Sequence, residues 1–206
     1  MKIVGIIGSA RRKGNTDALV GAALDGCERA GAQTERIRLN DLEMGPCRAC
    51  RTQDGEGCRF HDGVDVVYRA LEEADGLIVG TPIYYTTVSA QIKLMIDRSH
   101  CLGREVSPAP GEYVVESAVA KHKKGMLVCV SGSDGPEHAW AALTDYWAKE
   151  VNLEVVIRRF ACETLADDGT VLEPRQRPEL LDELRACGEG LCASIRGASS
   201  AAGERP

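Results

Sequence analysis

A doubly wound α/β sheet of five parallel strands is the fold class this sequence predicts, on three observations. Short apolar runs rich in Val, Ile and Leu recur along the chain, each bounded by turn residues. Amphipathic stretches with helical spacing separate them. A first strand, a helix and a second strand fit within residues 1–39, and a crossover of that length implies parallel strands beneath a covering helix.

Taken in order, Lys2–Ile7 reads as a buried strand, and Asn15 or Thr16 opens a helix to Arg29 with Leu19, Ala22, Ala23 and Cys27 facing inward. Gly31 ends it, and Thr34–Leu39 is the second strand. Residues 40–62 form a long irregular connection, of the kind that usually carries a task or moves. Val64–Glu73 is a helix, Gly76–Gly80 a strand, and Val88–Ser99 a helix that sets Ile92, Leu94, Met95 and Ile96 toward the sheet. Residues 102–124 fit either an edge hairpin or a mobile lid, with a β-rich segment at Tyr113–Val119. Gly125–Val130 is a core strand, Pro136–Lys149 a helix, Val151–Arg159 the fifth strand and Pro178–Ile195 the last helix. The expected organisation is one domain over 1–195, with a cysteine-containing loop at 45–62, an insertion at 102–124 and a flexible tail at 196–206.

Composition agrees. A chain of 206 residues accommodates one domain with a core on both faces of a sheet. With only 4% aromatic residues, that core must be built from Val, Leu, Ile and Ala. A net charge of -6 disfavours a broad nucleic-acid surface. The clusters Arg11, Arg12, Lys13 and Lys121, Lys123, Lys124 are short enough to be ordinary solvated faces. The start, MKIVGIIGSA, has an apolar run too short for an export signal or a membrane span. Nine cysteines without such a signal point to the reducing cytoplasm, where metal binding, cofactor contact or burial outrank disulfides.

Ligands in doubly wound sheets sit beyond the carboxyl ends of the strands. Three polar loops leave those ends: Gly8–Thr16, Thr81–Thr87 and Ser131–Gly135. The first, GSARRKGNT, collects the hydroxyls of Ser9 and Thr16, the Asn15 amide, the Arg11 guanidinium and the free N–H groups of a helix start, a set that suits a phosphate dianion. It lacks the Gly-Lys-Ser/Thr ending of a nucleotide P-loop and the G-x-G-x-x-G of a dinucleotide turn. In the second, TPIYYTT, Pro82 stiffens the turn while Ile83, Tyr84 and Tyr85 offer an apolar wall for a flat heteroaromatic ring; plain core packing is the competing reading.

The ordered motifs GSARRKGNT, CRACRTQDGEGC and TPIYYTTVSAQIKLMIDR resemble the NADPH-dependent FMN reductase family, in the branch that includes the iron-sulfur flavoproteins. The resemblance covers about residues 1–150. It implies a five-stranded flavodoxin-like fold, bound FMN, reduction by NADPH or NADH or another donor, and assembly into homodimers or homotetramers. By position, Ser9, Arg11, Asn15 and Thr16 match the phosphate contacts, and Pro82, Ile83, Tyr84 and Tyr85 the loop along the ring. Ser131, Gly132, Ser133 and Gly135 match a third cofactor-side loop. Ser89, Lys93, Asp97 and Arg98 match the signature of the following helix, with Ala10 and Ala90 as departures.

The expected function is an FMN-dependent oxidoreductase that passes electrons from NAD(P)H to a quinone, flavin, small aromatic or protein acceptor. Alternatives are an iron-sulfur electron carrier and a dehydrogenase of a biosynthetic intermediate. The flavin carries the chemistry, so no side chain is nominated as catalytic; His100, His138, Tyr84 and Tyr85 are candidates for proton handling only. Relatives with a [4Fe-4S] cluster have four cysteines in the loop, whereas here Cys47, Cys50 and Cys58 match three and Gln53 stands at the missing position. Three readings stay open: no metal, which is favoured; a cluster completed by solvent, Gln53 or Cys101; or zinc held by Cys47, Cys50, Cys58 and His61.

Overall fold

The computed structural model describes residues 1–50, 58–112, 114–132, 135–165 and 170–202. Its centre is a parallel sheet in the order β2-β1-β3-β7-β8, formed by β1 (Lys2–Ile7), β2 (Gln33–Arg38), β3 (Gly76–Tyr84), β7 (Lys123–Ser131) and β8 (Leu153–Cys162). Order reverses between β1 and β3, which places the ligand crevice at their carboxyl ends. Helices α1 (Asn15–Arg29) and α6 (Pro178–Ala202) cover one face; α2 (Val64–Glu73) and α3 (Ala90–Ser99) cover the other.

Alternation along the strands explains the two-sided core. On β1, Ile3 and Ile7 join one cluster with Leu19, Val20 and Leu184, while Val4 and Ile6 join the other with Leu71, Ile92 and Met95. Strand β3 repeats this, with Ile78 on the first side and Leu77 and Val79 on the second. A strand buried on both faces reads as a continuous apolar run, and that is why these segments were visible in the sequence.

Several boundaries differ from expectation for physical reasons. Strand β3 does not stop at Gly80; it runs on to Tyr84 and turns back into a two-residue strand, β4 (Thr87–Val88), antiparallel to it. Of the apolar residues expected on the sheet side of α3, Ile92 and Met95 are fully buried and Ile96 packs against the same core, whereas Leu94 is half-buried. The segment at 102–124 contains a separate hairpin of β5 (Gly103–Val106) and β6 (Val114–Ser117), unpaired with the central sheet among the described residues. The helix expected at 136–149 is broken into α4 (Glu137–Ala141), a π-helical stretch (Ala142–Trp147) and α5 (Ala148–Glu150). The last helix continues past Ile195 to Ala202. The remaining short strands, β9 (Thr164–Leu165) and β10 (Val171–Leu172), pair with each other.

Helices α1 and α6 approach closely because glycines face each other's backbone. A Cβ on Gly26 would stand 2.0 Å from Arg185 O, and one on Gly188 would stand 2.0 Å from Ala23 O. Glycine in an exposed helix costs about 1 kcal/mol relative to alanine, so here the contact itself must retain it. Gly188→Ala is therefore expected to lower stability by about 1–3 kcal/mol through overpacking, instead of raising it; a chemical-denaturation midpoint measures the sign.

Lys123 corrects the expectation of a solvated basic face. It is 1% exposed, and its ammonium donates to Lys121 O at 2.6 Å and Val151 O at 3.2 Å. Burial, with a smaller contribution from Lys121, pushes its pKa down from 10.5 to about 8. Above that folded value and below the unfolded one, the unfolded chain binds more protons, so this lysine makes stability rise with pH in that window. In Lys123→Met the rise disappears: the stability difference between variant and wild type, measured by urea unfolding, is expected to shrink between pH 8 and 10.5 and to be flat below pH 8.

Candidate functional site

The turn after β1 is open where a helix start is normally closed. Gly14 occupies the cap position of α1, and no side chain caps the first N–H groups of the helix. Ser9 and Thr16 flank that opening, 5% and 2% exposed. Within the loop, Arg11 N–H donates to Ser9 Oγ at 3.2 Å and Lys13 N–H to Asp17 Oδ2 at 2.9 Å, while Lys13 adopts φ 56° to make the turn. The Asn15 carbonyl oxygen accepts from Arg175 N–H at 3.3 Å, which leaves the Asn15 NH2 group for the cleft.

A cleft of 170 Å³ lies at this opening. It is lined by Ser9, Arg11, Gly14, Asn15 and Thr16 from the first loop, Pro82, Ile83 and Tyr84 from the end of β3, Val130, Ser131 and Gly132 from the end of β7, and Glu163 after β8. Three strand ends thus converge on one place, as their loops' chemistry predicts. Tyr85 does not line the cleft: the positive φ of 49° places it at the tip of the β3–β4 turn, 96% exposed. Gly135 lies outside the lining as well, and Ser133 falls outside the described residues.

Sequence reasoning missed Glu163 and Arg175. Residues Pro174–Gln176 form a 3₁₀ turn braced by the reciprocal Glu173 and Gln176 cap. From it, Arg175 Nη1 donates to Lys13 O at 3.2 Å and Nε pairs with Glu173 at 2.5 Å. A partner 160 residues distant from Asn15 leaves no local pattern to read.

The first loop is tied to α3. Ser89 Oγ donates to Gly8 O at 2.7 Å and accepts from Ile92 N–H at 3.3 Å, capping the helix, while Ser89 N–H donates to Thr81 Oγ1 at 3.1 Å. Gly8 is required there: a Cβ would stand 2.3 Å from Ile92 Cγ1.

At its other end α3 carries Arg98, 3% exposed, which organises the cysteine loop. Its Nη1 donates to Asp62 Oδ2 at 2.7 Å and Gly45 O at 2.8 Å; its Nη2 donates to Phe60 O at 2.9 Å and Cys58 Sγ at 3.4 Å. Burial by itself would raise the Asp62 carboxyl, but Arg98 and the N–H groups of Gly45 and Val64 outweigh it and hold the pKa at about 2. A cavity of 480 Å³ opens beside this anchor, with Cys47, Cys50, Cys58 and Cys101 in its wall. His61 is not part of it; its ring lies 3.2 Å from Asp65 and is mostly exposed. His100 does line the cavity, with Nδ1 3.4 Å from Glu150, whereas His138 lines neither the cavity nor the cleft. Among the described residues, no three His, Cys, Asp or Glu side chains stand together so as to hold a single metal ion. Gln53 falls outside the described residues.

A parallel sheet of this strand order with an uncapped helix start behind its first strand defines the flavodoxin-like class. Within that class, the profile of the family described as NADPH-dependent FMN reductase matches residues 1–164, and the chain belongs to that family. It is 46% identical over 103 residues to an iron-sulfur flavoprotein of Methanocaldococcus jannaschii, covering 50% of this chain and 53% of the relative. The chain therefore spans about half the length of that relative. A second iron-sulfur flavoprotein of the same organism is 30% identical over 151 residues, 71% of each chain. In fold, it is similar to an NAD(P)H:quinone oxidoreductase from Methanothermobacter marburgensis, with a TM-score of 0.69 at 16% identity over 93% of this chain and 98% of that one.

Removing Asp62 strands a buried guanidinium. Asp62→Ala is expected to cost about 3 kcal/mol, near the lower end for breaking a buried ion pair because the Asp62 side chain is a quarter exposed. Limited proteolysis would register the same loss as faster cleavage in the loop at 45–62.

Proposed function

We propose that this chain is an FMN-dependent oxidoreductase that takes electrons from NADPH or NADH and delivers them to a quinone, flavin, small aromatic or protein acceptor. The observation that carries the reading is the uncapped start of α1 facing a cleft where three strand ends meet. The donor set fits a phosphate monoester: Ser9 and Thr16 hydroxyls, the Asn15 NH2 group and the first-turn N–H groups aim neutral donors and the helix dipole at one place, with Arg11 adding a cation. Arg175 keeps the Asn15 amide turned the right way. Pro82, Ile83 and Tyr84 supply the wall for the ring, and Tyr84, 56% exposed, borders the open side through which a donor approaches. When bound, the flavin supplies the hydride and electron chemistry, and the protein supplies binding and orientation.

Homo-oligomerisation belongs to the same proposal, supported by the exposed Tyr84, Tyr85, Val114 and Val115. Cytoplasmic residence is also proposed, on the nine cysteines; no helix among the described residues is long and apolar enough to cross a membrane. A second reading, an iron-sulfur electron carrier, is favoured by the cysteine-lined cavity beside Arg98.

Denatured protein is expected to release FMN and not FAD, and Asn15→Ala with Thr16→Ala is expected to strip it. Full flavin occupancy in the double variant would remove the phosphate assignment. Anaerobic mixing with NADPH or NADH should bleach the flavin within the time of turnover; bleaching only by a reduced protein donor would select the carrier.

A further inference from the structure

The cysteine loop by itself is one sulfur short. Cys47, Cys50 and Cys58 leave Gln53 where the pattern needs a fourth thiolate, and an amide is a poor ligand for soft iron. The cavity nevertheless has four cysteines in its wall, because Cys101, just beyond the end of α3, lines it too. We propose that Cys101 replaces the missing loop cysteine as the fourth sulfur ligand of a [4Fe-4S] cluster held with Cys47, Cys50 and Cys58. The proposal rests on the iron-sulfur reading above and departs from the metal-free reading that the loop sequence favoured.

Three observations carry it. First, the cysteines are spread around a cavity and not gathered on one point. A single tetrahedral zinc ion draws its sulfurs to about 2.3 Å from one point. No such grouping exists among the described residues; four cysteines instead line a cavity of 480 Å³. His61, the other zinc candidate, lies outside it.

Second, Arg98 bridges the two sources of sulfur. Its Nη2 donates to Cys58 Sγ at 3.4 Å, and its carbonyl oxygen accepts from Cys101 Sγ at 3.3 Å. Cys58 and Cys101 are therefore held on a common neighbour although they lie far apart in the chain.

Third, the surroundings of Cys58 suit a ligating thiolate. Phe60 N–H joins Arg98 in donating to Cys58 Sγ, at 3.5 Å, and N–H groups aimed at cluster sulfurs stabilise the thiolate form and tune the potential. Arg98 also brings a buried cation to the cavity wall, and its Nε has no hydrogen-bond partner. Assembly of the usual 2+ core consumes ferrous and ferric iron in equal parts together with sulfide, so no separate oxidant is needed. Each Fe–S(Cys) bond forms as that thiol releases its proton to solvent.

The test uses the full-length protein, purified anaerobically and reconstituted with ferrous and ferric iron and inorganic sulfide. Wild type is expected to hold about four iron and four sulfide per chain. Cys101→Ala is expected to lose at least about one iron in four and to change the electron paramagnetic resonance spectrum, with circular dichroism unchanged. Adding Gln53→Cys to Cys101→Ala should restore the full complement, since it returns the thiolate to the loop. No iron uptake by wild type, an unaltered spectrum and iron count in Cys101→Ala, or a loss that Gln53→Cys does not repair would each overturn the assignment. Flavin released by the same samples separates the two readings: flavin without iron removes the cluster alone, and iron without flavin removes the FMN assignment alone.

Discussion

The hydrogen bond from Ser89 Oγ to Gly8 O is the joint on which the rest of this molecule depends. It fixes the start of α3 against the end of β1, and Ser89 can make it only because Gly8 presents no side chain. One hydroxyl thus both caps a helix and sets the position of the loop that bears Ser9, Arg11, Asn15 and Thr16. Nine residues after Ser89 the same helix delivers Arg98 to the cysteine cavity. At 1.5 Å rise per residue, the two ends of α3 are about 15 Å apart, so a rigid rod of known length relates the cleft to the cavity.

The two ends are held by different forces. At the cleft, neutral hydroxyls and N–H groups leave an anion-receptive opening without a fixed counter-charge inside it, apart from Arg11 at the rim. At the cavity, a fully buried guanidinium is offset by Asp62 and by carbonyls of Gly45 and Phe60. Burial alone lowers the Arg98 pKa, and Asp62 and Cys58 reverse that, so the cation persists at every relevant pH. The first arrangement presents donors to an open cleft; the second anchors the cysteine loop to the core through one side chain.

Buried charge appears again at Lys123, where carbonyls alone receive the ammonium. In sequence, Lys121, Lys123 and Lys124 look alike. In the structure Lys121 pairs with Asp75 at the surface and Lys123 enters the core at the start of β7. The distinction arises because Lys123 begins β7 against the segment Val151–Leu153 while Lys121 precedes the strand, information carried by another part of the chain.

Local chemistry made most of the architecture readable. Apolar runs buried on both faces announced β1, β3 and β7; Asn15–Arg29 and Val64–Glu73 showed their helices by spacing; and the donor-rich turn after β1 identified one wall of the cleft. What the sequence left undetermined depended on partners distant in the chain. Arg175 reaches Asn15 across 160 residues, Arg98 reaches Asp62 across 36, and Cys101 joins three loop cysteines only because α3 ends at their cavity. Tyr84 and Tyr85 are equivalent by type, yet a turn with positive φ sends one to the cleft and the other to solvent. Periodicity and turn chemistry are properties of neighbouring residues and are legible one segment at a time. The orientation of a side chain in a site is set by whatever packs against it, and only the folded sheet decides that.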